Sequence, residues 1–435
     1  MKQRAFRAFR NPVAASASLG ANFNRLWIAQ ALSQVAQNLL NFALIIRVFQ
    51  LAQGTRFANV SVALLILSFG VPSIFFAAAA GVYVDHWNKK VVLVTANFAR
   101  AVLVLGYLLV EHNLLLVLIL SFMISSITQF FAPAEAASIP SLVKPARLLR
   151  ANSLFVFTLY ASFIVGYSAS APVIALIGPH GPYFATSLFF LLAGVLVSFL
   201  PAIHTKESRS MPFAKIVRYT GHEILRNWEL IRTNHNLSFP ILQLTITQAC
   251  LGVLLALAPA LAIAVLHKPI QDTSQYLIIP AGVGMVAGVI AISQLVKYYS
   301  KSRVIAVGLI IASAALILLG LSSQLSRHLS HLPLSTATEI GLIVAALILI
   351  LGFMNAVVSA ASQTILQENT TDETRGKVYG ALNMMVNIAA TAPIFFAATI
   401  AGLTSVNTVI TALGCLLLVF AAGQYGWLKR HQKLA

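Results

Sequence analysis

The chain has 435 residues, of which 59% are hydrophobic and only 9% are charged. A soluble globular protein carries about 25% charged residues, so secreted, disordered and ordinary cytosolic classes are excluded. There are 29 Lys and Arg residues against 11 Asp and Glu residues, which gives a formal net charge of +18. Because apolar runs of about 20 residues recur along the whole chain, we predict an integral membrane protein.

Twelve apolar runs are predicted to cross a bilayer as α-helices. At 1.5 Å per residue, each is long enough for a hydrocarbon core of about 30 Å. The first six are residues 26–49, 58–84, 91–110, 114–131, 154–177 and 183–203. The last six are residues 237–266, 276–296, 304–325, 340–361, 378–403 and 406–428.

The basic residues indicate an orientation for these spans. With a cytoplasmic N-terminus and twelve crossings, 24 Lys and Arg residues lie on the cytoplasmic side, and only Arg47, Arg56, Lys268 and Arg327 lie outside. This asymmetry meets the positive-inside rule, so both termini are predicted to be cytoplasmic. The charge then orients the protein and contacts anionic lipids, and nucleic-acid binding is not needed to explain it.

A polar stretch divides the spans into two sets of six. We predict an N-terminal six-helix half with a cytoplasmic tail at residues 1–203, a cytoplasmic linker at 204–236 and a C-terminal six-helix half at 237–435. In the linker, apolar residues at helical spacing favour an interfacial amphipathic helix, with a solvated linker as the alternative. The loop after the fourth span is weakly similar in sequence to the loop after the tenth span. Such parallel repeats are typical of secondary transporters with a substrate site between the halves.

The loop between the second and third spans resembles a known signature. Its sequence is Gly81-Val-Tyr-Val-Asp85-His-Trp-Asn88-Lys89-Lys90, and it is similar to the Gly-x-x-x-Asp-Arg-x-Gly-Arg-Arg loop of the major facilitator superfamily. This resemblance implies an all-α polytopic membrane protein with twelve transmembrane helices in two six-helix halves.

Three further stretches narrow the resemblance to one branch. Residues 133–143, 150–152 and 184–192 are similar to the bacterial macrolide-efflux and enterobactin-exporter-like proteins, of the drug:proton antiporter-3 type. The branch implies efflux, multidrug resistance and a multi-pass position in the bacterial inner (plasma) membrane. Antiporter members carry a Gly-Pro-rich motif in span five, whereas here Tyr167 follows Gly166 and Pro172 comes late, so export rests on the branch resemblance.

The resemblance also implies a conformational latch. Its residues would be Gly81, Asp85, Asn88, Lys89, Lys90 and Glu135. Asp85 would dock near Gly376 and Lys377 at the start of span eleven and so favour the outward-open state. The alternative is that Asp85 only ends a helix.

Individual latch positions carry their own expectations. Asn88 stands where the family has Gly, and we expect it to adopt the left-handed conformation that a tight turn requires. Lys89 is expected to pair with Glu135. His86 departs from the family's Arg, so the pairing at that position lacks a permanent charge.

Polar residues inside the spans are candidates for the substrate cavity because they are costly in lipid. Four amides share one face of span one. The candidates are Gln30, Gln34, Gln37, Asn41, Arg100, Gln243, Thr247, Asn355, Asn383 and Asn387. Helix packing is the alternative for the small polar residues. Arg100 either attracts an anionic group, steadies a polar network, snorkels or binds backbone carbonyls.

The acids and histidines are predicted to lie in loops or at span ends. The usual proton carriers are therefore missing from the middle of the spans, and proton coupling would need Asp85, Glu135 or the substrate itself. Uniport and coupling through an unidentified group are the alternatives to proton coupling through these groups. The same pattern disfavours a site for organic cations.

We therefore predict a secondary active transporter that exports a hydrophobic neutral or anionic small molecule, such as a drug-like compound or siderophore, by alternating access. An importer or lipid translocator on the same fold is the alternative. A membrane enzyme and an ATP-driven pump are disfavoured because the sequence has no metal-protease motif, paired intramembrane acids or P-loop. We expect a monomer that contacts its substrate, membrane lipids and, as a candidate coupling ion, protons, without a cofactor, metal or nucleic acid.

Overall fold

The computed structural model describes residues 19–144, 147–203, 235–266, 274–329, 336–369 and 392–431. These residues are almost entirely helical, and none of them lies in a β-strand. The first set of helices comprises α1 (Ala21–Ala52), α2 (Ala58–His86), α3 (Lys89–Leu105), α4 (Leu114–Leu142), α5 (Leu148–Ile177) and α6 (Gly181–Ser198). After Gly106, α3 continues as a single turn, Tyr107–Val110.

The second set begins after the polar stretch. It comprises α7 (His235–Leu266), α8 (Ile279–Tyr298), α9 (Lys301–Leu329), α10 (Thr336–Glu368), α11 (Ala392–Leu403) and α12 (Val406–His431). A π-helical turn, Ser274–Ile278, leads into α8.

Ten described helices are long and apolar enough to cross a membrane. The described apolar parts of the other two, Ala58–Ser73 in α2 and Ala392–Leu403, are shorter. The all-helical membrane fold is therefore confirmed, and the count of twelve crossings stays a prediction.

The start of α3 differs from the expectation for its turn. Asn88 is extended, with φ −64° and ψ 110°, so the predicted left-handed conformation is wrong. Its side-chain oxygen accepts a hydrogen bond from the backbone N–H of Lys90 at 3.1 Å. Asn88 is thus the N-cap of α3, and an N-cap adopts the extended region rather than the left-handed one.

Helix α4 is longer than its apolar run predicted. It continues past the predicted end at Phe131 and runs through Pro133 and Pro140 to Leu142. Membrane helices tolerate Pro where neighbouring groups satisfy the freed backbone. Glu135 therefore lies inside α4 and is only 7% exposed, which corrects its predicted position at a span end.

The chain divides into two compact units. Unit 1 comprises residues 1–44 and 68–223, and unit 2 comprises residues 45–67 and 224–435. In unit 1, α3 packs against α4 and α6, and in unit 2, α10 packs against α7, α8 and α9. The predicted boundaries at 203 and 237 stay a prediction, and the predicted linker helix lies outside the described residues.

Glycines allow the closest helix contacts in unit 2. A Cβ on Gly284 or Gly288 of α8 would collide with backbone oxygens of Leu349 or Phe353 in α10. Gly352 of α10 fits in the same way against α8. Small residues at this spacing let membrane helices approach backbone to backbone, so α8 and α10 form a closely packed pair within unit 2.

Candidate functional site

The most polar buried feature of unit 1 surrounds Arg100 in the middle of α3. The side chain is 2% exposed. Its Nη2 donates to Ser33 Oγ of α1 at 3.0 Å and to Asn97 Oδ1 at 2.8 Å. Its Nε donates to the carbonyl of Ala96 at 3.3 Å. Arg100 therefore joins a polar network and also binds a backbone carbonyl, which were two of its four predicted alternatives, and it does not snorkel to the helix end.

Two phenyl rings enclose the same guanidinium group. Arg100 Cζ lies 4.3 Å from the ring centroid of Phe131 in α4 and 4.4 Å from that of Phe190 in α6. A cation over an aromatic face is attracted by the ring quadrupole, and more strongly when water is excluded. Arg100 consequently contacts residues of α1, α3, α4 and α6.

Asn97 completes this network, although the sequence analysis did not select it. It is fully buried, its Nδ2 donates to the carbonyl of Leu93 at 3.0 Å, and its Oδ1 accepts from Ser33 Oγ at 3.2 Å. The signal was present in the sequence, because an Asn three residues before an intramembrane Arg lies on the same helix face.

Glu135 places a buried carboxyl group near the network. It follows Phe131, whose ring lies over the Arg100 guanidinium group, by one turn of α4, and no salt bridge joins Glu135 to Arg100 in the described structure. Its Oε1 is buried and has no hydrogen-bond partner among the described residues. A buried charge is tolerated when an opposite charge compensates it, so we expect Glu135 to compensate Arg100 when its carboxyl group is ionised.

The amides of α1 lie beside this network. Gln30 is buried, and its Nε2 donates to the carbonyl of Phe155 in α5 at 3.5 Å. Gln37 Nε2 donates to Asn41 Oδ1 at 2.8 Å, and the ring centroid of the neighbouring Phe42 lies 5.4 Å from that of Tyr167 in α5. The row of amides on α1 therefore partly faces α5. The Oε1 atoms of Gln30 and Gln37 are buried without a partner in the described part of the chain, and Gln34 is half-buried.

In unit 2 the structure brings two predicted cavity residues together. Asn355 Nδ2 in α10 donates to the backbone carbonyl of Thr247 in α7 at 3.3 Å. Thr247 Oγ1 donates back to the carbonyl of Gln243 at 2.6 Å. Thr247 and Asn355 also line a largely apolar cavity of about 80 Å³. Asn383 and Asn387 lie outside the described residues.

The signature loop is hydrogen-bonded to the segment that follows α6. Asn88 Oδ1 accepts from the backbone N–H of Ile203 at 3.2 Å, and the backbone N–H of Lys89 donates to the carbonyl of Ile203 at 3.1 Å. Gly81 and Asp85 lie in the last turns of α2, the Lys89 side chain is buried and Lys90 is half-buried. Gly376 and Lys377 lie outside the described residues, and the latch and the Lys89–Glu135 pair stay predictions.

A second buried acid, Glu111, lies at the opposite end of α3. Its Oε1 is 2.9 Å from His180 Nε2 at the start of α6. Sequence reasoning placed both residues in loops and had no means of pairing them across 69 positions. In the described part of the chain, no group of three His, Cys, Asp or Glu residues is arranged to hold a metal ion.

The chain is similar to known membrane transporters along most of its length. The model of the Major Facilitator Superfamily matches residues 26–393. The chain is 23% identical over 392 residues to the uncharacterized MFS-type transporter YfiS of Bacillus subtilis (strain 168), with 89% of each chain covered. It is 29% identical over 182 residues to YkuC of the same strain, which covers 40% of this chain and 41% of that protein.

Solved structures show the same fold. The nucleoside transporter NupG superposes with a TM-score of 0.71 at 13% identity, covering 94% of this chain and 100% of that chain. A bacterial homologue of the human lysosomal transporter Spinster, inward-facing and unoccupied, superposes with a TM-score of 0.69 at 12% identity, covering 94% and 98%. At these identities the likeness shows the fold alone.

Proposed function

Because the chain belongs to the Major Facilitator Superfamily, we propose that it is a secondary active transporter that exports a hydrophobic neutral or anionic small molecule by alternating access. The family and the fold are those of transporters, and the helices are those of a multi-pass membrane protein. The resemblance to efflux proteins supports the outward direction and the choice of drug-like compounds or siderophores as the first substrates to test.

The buried pair of Arg100 and Glu135 is the observation that supports this substrate class. We infer that each charge compensates the other, and a second buried acid, Glu111, is bonded to His180. Neither carboxylate is left as an uncompensated counter-charge for an organic cation. A site whose buried carboxylates are already compensated favours neutral or anionic molecules over cations.

The same pair supports Glu135 as the proton-carrying side chain. A carboxyl group inside a membrane helix is a functional candidate by default, and this one has a buried oxygen without a hydrogen-bond partner in the described structure. Taking up a proton would remove the negative charge that compensates Arg100. The packing of α1, α3, α4 and α6 around Arg100 would then differ between the protonated and deprotonated states.

Transport by the purified protein in liposomes with an imposed pH gradient tests this proposal. Macrolides, siderophores and dyes form the substrate panel. The side chain of the Glu135→Gln variant cannot release a proton. We therefore expect this variant to reduce gradient-driven transport at least tenfold, while exchange of substrate without a gradient persists. Glu368→Gln is the matched control, because Glu368 forms an exposed ion pair with Lys301 at 2.6 Å and should leave transport unchanged.

Other outcomes of this experiment separate the alternatives. Equal loss of driven transport and of exchange in Glu135→Gln would contradict a proton-carrying role. Transport of none of the panel, with movement of labelled lipid between leaflets, would favour a lipid translocator. Uptake in the direction of the proton gradient would favour an importer.

The membrane and the orientation belong to the same proposal. We propose a monomer in the bacterial inner membrane with both termini cytoplasmic, supported by 24 basic residues on one side of the predicted spans against four on the other. Such an excess of Lys and Arg sets the orientation of membrane proteins.

A further inference from the structure

The segment that leaves α6 toward the polar stretch is held at two places. Residues 199–203, which we call the linker root, follow the end of α6 at Ser198. Arg25 Nη1, near the start of α1, donates to the carbonyl of Phe199 at 3.2 Å. At the other end of the linker root, the backbone of Ile203 is hydrogen-bonded to the signature loop. The linker root therefore contacts both α1 and the α2–α3 loop before the polar stretch begins.

Both backbone polar groups of Ile203 take part in this contact. Its N–H donates to Asn88 Oδ1 at 3.2 Å, and its carbonyl accepts from the backbone N–H of Lys89 at 3.1 Å. The bond to Asn88 joins positions 115 residues apart. Ile203 is 4% exposed, and Leu200 is 2% exposed and packs in the hydrophobic core with residues of α1 and α3. Because hydrogen bonds away from water are electrostatically stronger than exposed ones, this contact fixes the place where the polar stretch begins.

Asn88 makes the contact at a position where this chain departs from the family signature. Gly stands there in the signature, and Gly has no side chain that can accept a hydrogen bond. The contact is also separate from the predicted latch, which joins Asp85 to the start of span eleven. The residues of the linker root belong neither to that latch nor to the predicted substrate cavity.

Capping of α3 does not by itself require Asn88. Its Oδ1 also accepts from the backbone N–H of Lys90 at 3.1 Å, but Gly is almost as good at an N-cap as Asn. The bond from Ile203 is different, because a buried backbone N–H that loses its acceptor carries the full cost of desolvation. The side chain of Asn88 is therefore needed for the contact with the linker root more than for the cap.

We propose that Asn88 is a positioning residue that holds the linker root to the signature loop, so that the loop and the start of the predicted linker move together. A contact of this kind reduces the number of conformations that each segment can adopt. Its loss should slow the conformational steps of transport and leave substrate binding unchanged. The effect on rate rests on the proposed transport function, whereas the contact itself is measured without transport.

Hydrogen–deuterium exchange at single amides measures the contact directly in the purified protein. In Asn88→Gly, the amide of Ile203 loses its acceptor and should exchange at least tenfold faster. The amide of Lys89, which donates to the Ile203 carbonyl, should become faster together with it if the loop and the linker root separate as one event. Asn88→Asp keeps an oxygen that accepts both bonds, so both amides should exchange within twofold of the unaltered protein.

Asn113→Gly is the matched control for the loss of a helix cap. Asn113 Oδ1 caps α4 by accepting from the backbone N–H of Leu116 at 3.2 Å, and it lies at the other end of α3 from the linker root. We expect this variant to leave exchange at Ile203 and Lys89 unchanged.

Transport kinetics in liposomes test the positioning role. Asn88→Gly should lower kcat at least fivefold and change KM less than twofold, because Asn88 is not a predicted cavity residue. Asn88→Asp should restore kcat, and Asn113→Gly should keep both constants. A purely structural role would lower the unfolding temperature of Asn88→Gly without separating kcat from KM.

The possible outcomes distinguish this inference from the proposed function. Unchanged exchange at Ile203 in Asn88→Gly, or equal acceleration in Asn113→Gly, would overturn the contact. Faster exchange at Ile203 alone, with Lys89 unchanged, would overturn the joint movement, and an unchanged kcat would overturn the effect on rate. Absence of transport in the unaltered protein would count against the proposed function, while exchange at the two amides would still decide whether the loop and the linker root move together.

Discussion

At the scale of single residues, Arg100 shows how a permanent charge is kept inside a membrane helix. An Arg at the centre of a membrane helix costs about 2.5–3.5 kcal/mol on insertion scales. Hydrogen bonds to Ser33, Asn97 and Ala96, together with the rings of Phe131 and Phe190, offset this cost. The residue is therefore a centre of packing between α1, α3, α4 and α6 in unit 1.

Substitutions of Arg100 are expected to destabilise the protein even where charge is kept. Arg100→Lys should lower the unfolding temperature in detergent by several degrees, because an ammonium group cannot lie flat between two rings while bonding Ser33 and Asn97. Arg100→Met should lower it further, since leaving a buried partner charge uncompensated costs about 3–5 kcal/mol.

A double variant separates charge compensation from packing. Arg100→Met with Glu135→Gln removes both charges and should be more stable than Arg100→Met alone, as measured by thermal unfolding. A double variant as unstable as the sum of the two single variants would show that Glu135 does not compensate Arg100.

The residues of this network were only partly predictable. Arg100 and the α1 amides were selected because polar side chains are rare within apolar runs. Phe131 and Phe190 could not be selected, because the chain has 26 Phe residues and nothing in local sequence distinguishes a ring over a cation from a ring in lipid. Glu135 was misplaced because the fourth span was predicted to end at Phe131, whereas α4 continues through Pro133 to Leu142.

At the scale of helices, composition predicted the elements well and their ends less well. Leu114, Leu266 and Val406 were predicted as boundaries and are boundaries in the structure. The exceptions have a local cause. An apolar run ends at the first Pro or charged residue, whereas α4 continues through Pro133 and Glu135. A cap such as Asn88 depends on backbone geometry rather than on residue type alone.

The glycine contact between α8 and α10 predicts a sensitive position. Gly284→Ala places a methyl group against the backbone oxygen of Leu349 and should lower stability by about 1–3 kcal/mol, as overpacking does. Gly423→Ala is the matched control, since nothing lies within 4 Å of its Cβ position. Thermal unfolding of the two variants checks this, and an equal effect at both positions would contradict the close contact.

At the scale of the whole molecule, the two units and the family fold predict a protein that changes conformation to work. The resemblance assigns to Asp85 a role in favouring one conformational state. Asp85→Asn keeps the size of the side chain and removes its charge, so we expect transport to fall at least tenfold with normal expression and membrane insertion. Transport assays in cells, normalised to protein amount, measure this effect, and near-normal rates would contradict the role.

The central claim is that the protein exports a neutral or anionic molecule with energy from protons. The most direct measurement is the accumulation of macrolides, siderophores and dyes in an efflux-deficient bacterial host, with and without a protonophore. The account predicts lower accumulation of at least one neutral or anionic compound in cells that express the protein, and loss of that difference when the protonophore is added. Unchanged accumulation across the panel, or a difference confined to organic cations, would contradict it.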